Sequence, residues 1–436
     1  QAGVDEDLGG KAFGELADAV RKGLVSESEI DVACGRILTK KFEMGLFDHP
    51  YVDVKAAKEV GSKAHEAIAL DAARKLVTLL KNQNHILPLR KDIRVAVIGP
   101  NADNVYNMLG DYTSPQPDGK VKTILTGIRS KLPEANVTYV KGCAVRDTAH
   151  CDIAAAVEAA RQADVVIVAV GGSSARDFKT SYKATGAAEA DIRSVSDMDC
   201  GEGYDRATLS LLGRQQELLE TLHRTGKPMV VVYIEGRPMD KSWAAGHADA
   251  LLTAYYPGQE GGQAIADVLF GDVNPAGRLP ISVPAHIGQL PVYYNKRAPL
   301  PHNYVEMTAK PLYAFGYGLS YTTFGYANLQ IKKAGKNLFK VSLDVTNTGD
   351  RDGEEVVQLY LHDQVASVVQ PVMQLKHFAR VAIAKGETRK IEFTITEEDL
   401  RIINRDMQSV VEPGDFEVMV GAASDDIRLR GMLTAE

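Results

Sequence analysis

The chain has 436 residues, 45% hydrophobic and 25% charged, with a formal net charge of -7, an ordinary globular composition for about three units of roughly 150 residues each. Its basic residues are scattered and no block of like charge occurs, which excludes a surface that tracks phosphates, so no nucleic acid partner is expected. No apolar run approaches the ~18 residues of a membrane-spanning helix, so no membrane is expected either.

The sequence opens at QAGVDEDLGG, without an initiator Met, in what reads as a loop followed by a helix, as expected for the later part of a longer polypeptide. Residues 11–45 carry apolar side chains at helical spacing and predict two helices, with SESE as the cap signal of the second. Gly45 and Pro50 break that period, and a long helical pattern resumes from Lys55 to about Leu80. From Arg94 onward, short apolar strands (VAVIG, VTYV, DVVIVAVGG, PMVVVYIEG, ALLTAYYPG, LPISVP) alternate with helical patterns at 152–163, 208–225 and 259–270. That alternation predicts a mostly parallel α/β sheet covered on both faces, with ligands beyond the carboxyl ends of its strands. After Tyr321 the period becomes two and no helices intervene, which predicts a small antiparallel sandwich of about 110 residues.

The four cysteines lack C-x-x-C spacing, which excludes a zinc ribbon and argues against a disulfide framework. The signatures G-x-S-x-G, H-E-x-x-H and G-x-x-x-x-G-K-[ST] do not occur, and IGPNADN and VGGSSAR read better as strand-to-helix turns than as phosphate loops. The stretch CGEGYDR stands out. Gly201 and Gly203 flank Glu202 and free the loop to take positive φ, so its carboxyl can be carried out to a partner surface. Tyr204 can donate a hydrogen bond, and Asp205 and Arg206 can orient neighbours, so Glu202 suits proton donation to a leaving oxygen. The competing reading is a surface carboxylate paired with Arg206. Asp111, beside Tyr112, is a candidate binder of hydroxyls or else a turn residue. Glu235 lies at a strand end, Glu260 is placed to serve a helix N-terminus, and Arg237 and the lone Trp243 are ligand-contact candidates, with packing the better reading for the Trp.

These residues resemble glycoside hydrolase family 3 along essentially the whole chain. QAGVDEDL, GLVSESEIDVACGRILTKKFEMGLFDHPY and ARKLVTLLKNQNHILPL look like the close of its (β/α)8 barrel and the linker beyond. GEGYDR, YYPGQEGGQAIADVLFGDVNPAGRLPISVP and PLYAFGYGLSYTTF resemble its (α/β)6 sandwich domain, and VTNTGDRDGEEVVQLYL its fibronectin type III-like domain. The resemblance implies the end of the barrel at 1–50, a linker and helix at 51–90, the (α/β)6 domain at 91–300, a connecting segment at 301–324 and the β-sandwich at 325–436. It also implies a retaining exo-β-glycosidase that removes terminal non-reducing β-D-glucosyl residues, with β-xylosidase as the alternative and a non-catalytic sugar-binding fragment as a third reading.

Carried over by motif, the acid/base is Glu202, supported by Tyr204, Asp205 and Arg206, with Asp111 as a substrate-binding candidate. The nucleophile would be a barrel Asp about 5–5.5 Å from it. The family places that Asp in an Asp-Trp motif, and none occurs here, since Trp243 follows Ser242. The missing barrel segment is therefore an expected partner, beside a β-linked oligosaccharide or glycoside and, as an assembly compatible with the resemblance, a second copy in a homodimer. No cofactor or metal is implied, and the family's usual substrates imply a periplasmic or secreted location.

Overall fold

The computed structural model describes residues 3–7, 12–175, 197–203, 205–297 and 303–436. They fall into two compact units. The first, as described, comprises 3–7, 12–67, 201–203 and 205; the second comprises 68–175, 197–200 and the described residues from 206 to 436.

The first unit is helical. Helix α1 (Leu16–Arg21) is short, and α2 (Glu27–Glu43) starts at Ser26 in a reciprocal capping box with Glu29, as SESE predicts. Arg36 on α2 pairs with Asp5 at 2.8 Å. The single helix expected from Lys55 to Leu80 is instead three elements. A 3-10 turn at Val54–Glu59 ends before Gly61, which takes a φ of 68°, and α3 then runs Lys63–Leu76. Beyond it Thr78–Asn82 is a strand, β1. Val77, Thr78, Leu79 and Leu80 are all essentially inaccessible, and a run buried on both faces carries no alternation to separate strand from helix.

The second unit opens on a six-stranded sheet in the order β1-β6-β5-β4-β2-β3, with β2 at Val95–Ile98, β3 at Val137–Val140, β4 at Val165–Gly171, β5 at Met229–Ile234 and β6 at Ala250–Thr253. All neighbours pair in parallel except β1 with β6. The pleat sends Val95, Val97, Val165, Ile167 and Ala169 into one apolar layer, and Ala96, Ile98, Val166, Val168 and Val170 into the other. Each buried Val, Ile or Leu contributes about 1.5–3 kcal/mol relative to exposure, so both faces must be covered.

Helices cover them. The segments between β2 and β3 hold α4 (Val105–Leu109) and α5 (Ile124–Arg129); α6 (Ile153–Gln162) precedes β4 and α7 (Gln215–His223) precedes β5. α8 (Ser242–His247) precedes β6, and α9 (Gly261–Leu269) follows it. α5 and α9 pack in the first apolar layer, α6 and α7 in the second. The helix expected at 208–225 is shortened because Gly213, at φ 60°, forms a turn before it. LPISVP is not a strand: its prolines remove ladder donors, and only Val283 bridges to Tyr313.

The sheet leads into an antiparallel sandwich. One sheet has the order β11-β8-β7 (Thr388–Ile395, Leu338–Asn347, Phe324–Gly335) and the other β10-β9-β14-β15 (Gln374–Ile383, Gly353–Asp363, Gly414–Ala423, Asp426–Ala435). A two-stranded ribbon of β12 (Ile402–Ile403) and β13 (Ser409–Val410) and the one-turn α10 (Glu397–Leu400) lie in the sequence between β11 and β14. Phe339, Val341, Leu343 and Val345 alternate into a core that also takes Val357, Leu359, Val418 and Val420. The sandwich is tied to the α/β part by Arg278, whose guanidinium lies 3.0 Å from the Glu355 carboxylate, with both side chains buried.

Candidate active site

In the strand order the chain moves from β2 to β3 on one side, then crosses to β4 on the other. The point between β2 and β4 is thus a topological switch, where the loops leaving neighbouring strands part and open a crevice at their carboxyl ends. A chain of buried polar side chains crosses there. Asn101 donates to the Gly172 carbonyl (3.2 Å), Asn107 to Asn101 Oδ1 (2.6 Å) and Ser173 Oγ to Asn107 Oδ1 (2.6 Å). Ser173 N–H donates to Asp199 Oδ1 at 2.8 Å, and Asp199 N–H returns to the Ser173 carbonyl at 2.7 Å. The other Asp199 oxygen accepts from Arg206 Nη1 at 2.6 Å.

The Asp199–Arg206 pair is almost dry, its side chains 2% and 5% exposed. It joins residues 199 and 206, the two ends of the segment that carries Glu202, as a neck. Arg206 also donates to the Ser210 carbonyl, which fixes the plane of its guanidinium. Gly172 admits the arrangement, since a Cβ there would lie 2.7 Å from both Asp199 carboxylate oxygens. A second carboxylate secures the incoming chain: Asp197 accepts from the backbone N–H of Val145 (2.7 Å), Arg146 (2.7 Å) and Asp147 (3.2 Å). Gln215, fully buried at the head of α7, bonds both the N–H and the carbonyl of Gly171, each at 2.9 Å, and holds the end of β4.

Glu202 is half-buried, and Gly203 takes a φ of 70°, the positive φ that the flanking glycines predict. Asp205 is exposed, and Tyr204 lies outside the described residues. Arg206 has a buried acidic partner, Asp199, that the sequence reading missed. Asp111 follows β2 and α4 on the same edge of the sheet, half-buried, with Oδ1 accepting from Tyr112 N–H at 2.8 Å, a turn-like bond. Cys200 is buried beside Tyr256, Sγ to hydroxyl 3.8 Å, and burial raises the pKa of both.

Glu235 is held away from solvent. Lys241 Nζ lies 2.6 Å from it, Thr253 Oγ1 donates at 2.5 Å and Met239 N–H at 3.0 Å, with both charged side chains nearly inaccessible. Burial lowers the Lys241 pKa, against the pull of Glu235. This pair is part of the core beneath the β5 loop. Glu260 occupies the N-cap position of α9 but makes no side-chain cap bond, so its expected service to that helix is not seen as a hydrogen bond. Trp243 stacks on His247 (centroids 4.4 Å, planes 9° apart) with His223 edge-on, so the packing reading holds. Among the described residues no three His, Cys, Asp or Glu converge to hold a metal ion, and no helix is long and apolar enough to cross a membrane.

Sheet, switch point and appended sandwich define a multidomain α/β plan with its functional edge at the strand ends, and comparison with known proteins makes it specific. Residues 77–321 match the glycosyl hydrolase family 3 C-terminal domain, and 355–424 match the fibronectin type III-like domain. The chain belongs to glycoside hydrolase family 3. A β-xylosidase of Formosa agariphila is 38% identical over 98% of this chain and 60% of its own length, and a periplasmic β-glucosidase of Salmonella typhimurium is 34% identical over 98% and 58%. The crystal structure of a β-glucosidase from Listeria innocua in complex with gluconolactone superposes with a TM-score of 0.87 at 30% identity, covering all of this chain and 58% of that one. The chain thus spans about 60% of the length of the relatives it matches.

Proposed function

We propose that this chain supplies the acid/base half of a retaining exo-β-glycosidase acting on terminal non-reducing β-D-glucosyl residues. Family membership and relatives named as β-glucosidases and β-xylosidases support glycosidase activity. The observation that carries the residue assignment is the neck: a buried Asp199–Arg206 pair closes the base of the short loop that bears Glu202, so its carboxyl is presented from a fixed root. Placement of this kind is what proton transfer requires.

In this reading a barrel Asp attacks the anomeric carbon. Glu202 gives its proton to the departing glycosidic oxygen, then takes one from the water that hydrolyses the glycosyl-enzyme. Asp111 binds a sugar hydroxyl, and Tyr204, Asp205 and Arg206 support the acid. The domain limits implied by the resemblance, with barrel end, (α/β)6 unit and β-sandwich, belong to the same proposal. A periplasmic or secreted location is supported by the relative named periplasmic. β-Xylosidase is the second reading, favoured by the 38% identity to an enzyme of that name.

The test is Glu202→Gln in the complete, barrel-containing enzyme, assayed on aryl β-glucosides and β-xylosides of graded leaving-group ability. Glycosides with poor leaving groups should lose about 10²–10⁴-fold in glycosylation rate, and activated ones much less. Equal losses across the series would sink the acid assignment. Preference between the two sugars decides between the two readings, and if the complete enzyme cleaves neither, the sugar-binding reading replaces both.

A further inference from the structure

Between β3 and α6 the chain leaves the sheet at Gly142 and returns at Asp152, whose N–H donates to the Gly142 carbonyl at 2.7 Å. That bond brings the next residue of the outgoing chain, Cys143, alongside the last residue of the incoming chain, Cys151. Gly142 turns the outgoing chain at a φ of 69°, and Cys143 lies within electrostatic reach of Cys151. Both side chains face one apolar layer: Cys143 is 1% exposed within it, and Cys151 packs on its margin, half-buried. The ring between them carries Val145, Arg146 and Asp147, the three residues whose N–H groups hold Asp197.

We propose that Cys143 and Cys151 are an oxidisable dithiol whose disulfide closes this ring and locks the cradle of Asp197, and so the chain that leads into the Glu202 loop. The two thiols differ in a way that orders the chemistry. Burial raises the pKa of Cys143 to about 12 and shuts it away from reagents, whereas Cys151 reaches solvent beside the Arg214 guanidinium and is the thiol that meets the oxidant first. Cys151 thiolate attacks a small-molecule disulfide such as glutathione disulfide, forming a mixed disulfide and releasing one glutathione thiolate. Cys143 then loses its proton and attacks Cys151 Sγ, displacing the second glutathione. The two protons released by the protein thiols pass to the two glutathiones. Closure costs Cys151 its weak hydrogen bond to the Asp147 carbonyl (3.5 Å) and its contact with Arg214.

Arg146 lies between the two cysteines, so trypsin separates them, cutting after Lys141, Arg146 and Arg161. The experiment equilibrates the folded 436-residue chain in glutathione redox buffers, traps free thiols and maps tryptic peptides without reduction. The expected result is a fall from four trappable thiols to two, with peptides 142–146 and 147–161 recovered as one species that reduction splits. Hydrogen exchange at Val145, Arg146 and Asp147 should be slower in the oxidised form. Cys151→Ser should keep three trappable thiols under all buffers, with the native circular dichroism spectrum. Retention of all four thiols, or linkage through Cys34 or Cys200 instead, would overturn the pair; linkage with unchanged exchange at the three amides would overturn its role as a lock on Asp197.

Discussion

Arg206→Ala tests the neck most directly. Arg206 is 5% exposed and makes the ion pair to an Asp199 carboxylate that is itself 2% exposed. Removing one partner of such a pair leaves the other charge buried, at a cost of about 3–5 kcal/mol. Asp199 keeps its bond from Ser173 N–H, and that bond does not reach the outgoing end of the loop. A domain stable by about 5–15 kcal/mol survives the loss with a lower urea midpoint, while the root of the Glu202 loop is released. A displacement of about 1 Å in a catalytic group costs about 10²-fold in rate, or about 2.7 kcal/mol of transition-state stabilisation.

The decisive assay is a double-mutant cycle in the complete enzyme, with Arg206→Ala, Glu202→Gln and the pair measured on a glycoside with a poor leaving group. If Arg206 acts only by placing Glu202, the second substitution adds almost nothing once the acid is gone, and the coupling equals nearly the whole effect of Arg206→Ala. Independent, multiplicative losses would refute the reasoning and return Arg206 to a purely structural role. Arg206→Lys keeps the charge but loses the planar fork, and should fall between wild type and alanine.

Three further outcomes are expected. Gly172→Ala drives a Cβ to 2.7 Å from the Asp199 oxygens, so it should lower kcat/KM by about 10²-fold on the same substrate while far-UV circular dichroism is retained. Asp267, 1% exposed on α9, gains a raised pKa from burial, but hydrogen bonds from Lys131, Gln263 and Arg74 outweigh that and hold its carboxyl below the usual range. The stability it contributes is complete above the unfolded value of about 3.9 and is lost as pH falls through its lower folded value, so Asp267→Asn should cost about 3–5 kcal/mol at neutral pH in urea titrations and flatten the acid limb of the stability profile. Glu355 behaves oppositely: burial raises its pKa and Arg278 restrains that rise. Arg278→Ala should therefore cost about 3–5 kcal/mol, and the loss should deepen as pH rises from the unfolded value of about 4.3 through the raised folded one, read as a urea midpoint that falls with pH; a midpoint independent of pH would contradict the assignment.

The parallel strands were legible because burial on both faces writes them as continuous apolar runs between helical patterns, as in Val165–Gly171, and the sandwich because one-sided burial writes alternation, as in Leu338–Asn347. The same double burial hid β1, whose Val77–Leu80 run merges with the helix before it. Glu202 stands out in the sequence as a candidate through its glycines and the motif around it. The residues that hold its loop do not. Asp199 is one more acid in a polar stretch, and what defines it is a partnership with Ser173 and Arg206 created only when β4 brings Ser173 to the crevice. Asn101, Asn107 and Gln215 are likewise polar residues inside the protein, where periodicity predicts none, and their reason is the set of backbone groups the switch point leaves to be satisfied.

Strand β1 has a consequence for how the protein is made. One edge of β1 pairs with β6, and the other is closed by Leu319, which bridges to Leu79 and donates its N–H to the Leu79 carbonyl at 2.8 Å. The clasp joins the start of the sheet to the segment that leaves it. A nascent chain thus carries an open strand edge around Leu79 and Leu80 from the moment residues 78–82 emerge until almost the whole α/β part has been translated. Such an edge is a template for unwanted pairing. Ribosome-bound chains arrested before Leu319 should recruit holdase chaperones and aggregate on release, whereas chains arrested once Leu319 has cleared the tunnel should not.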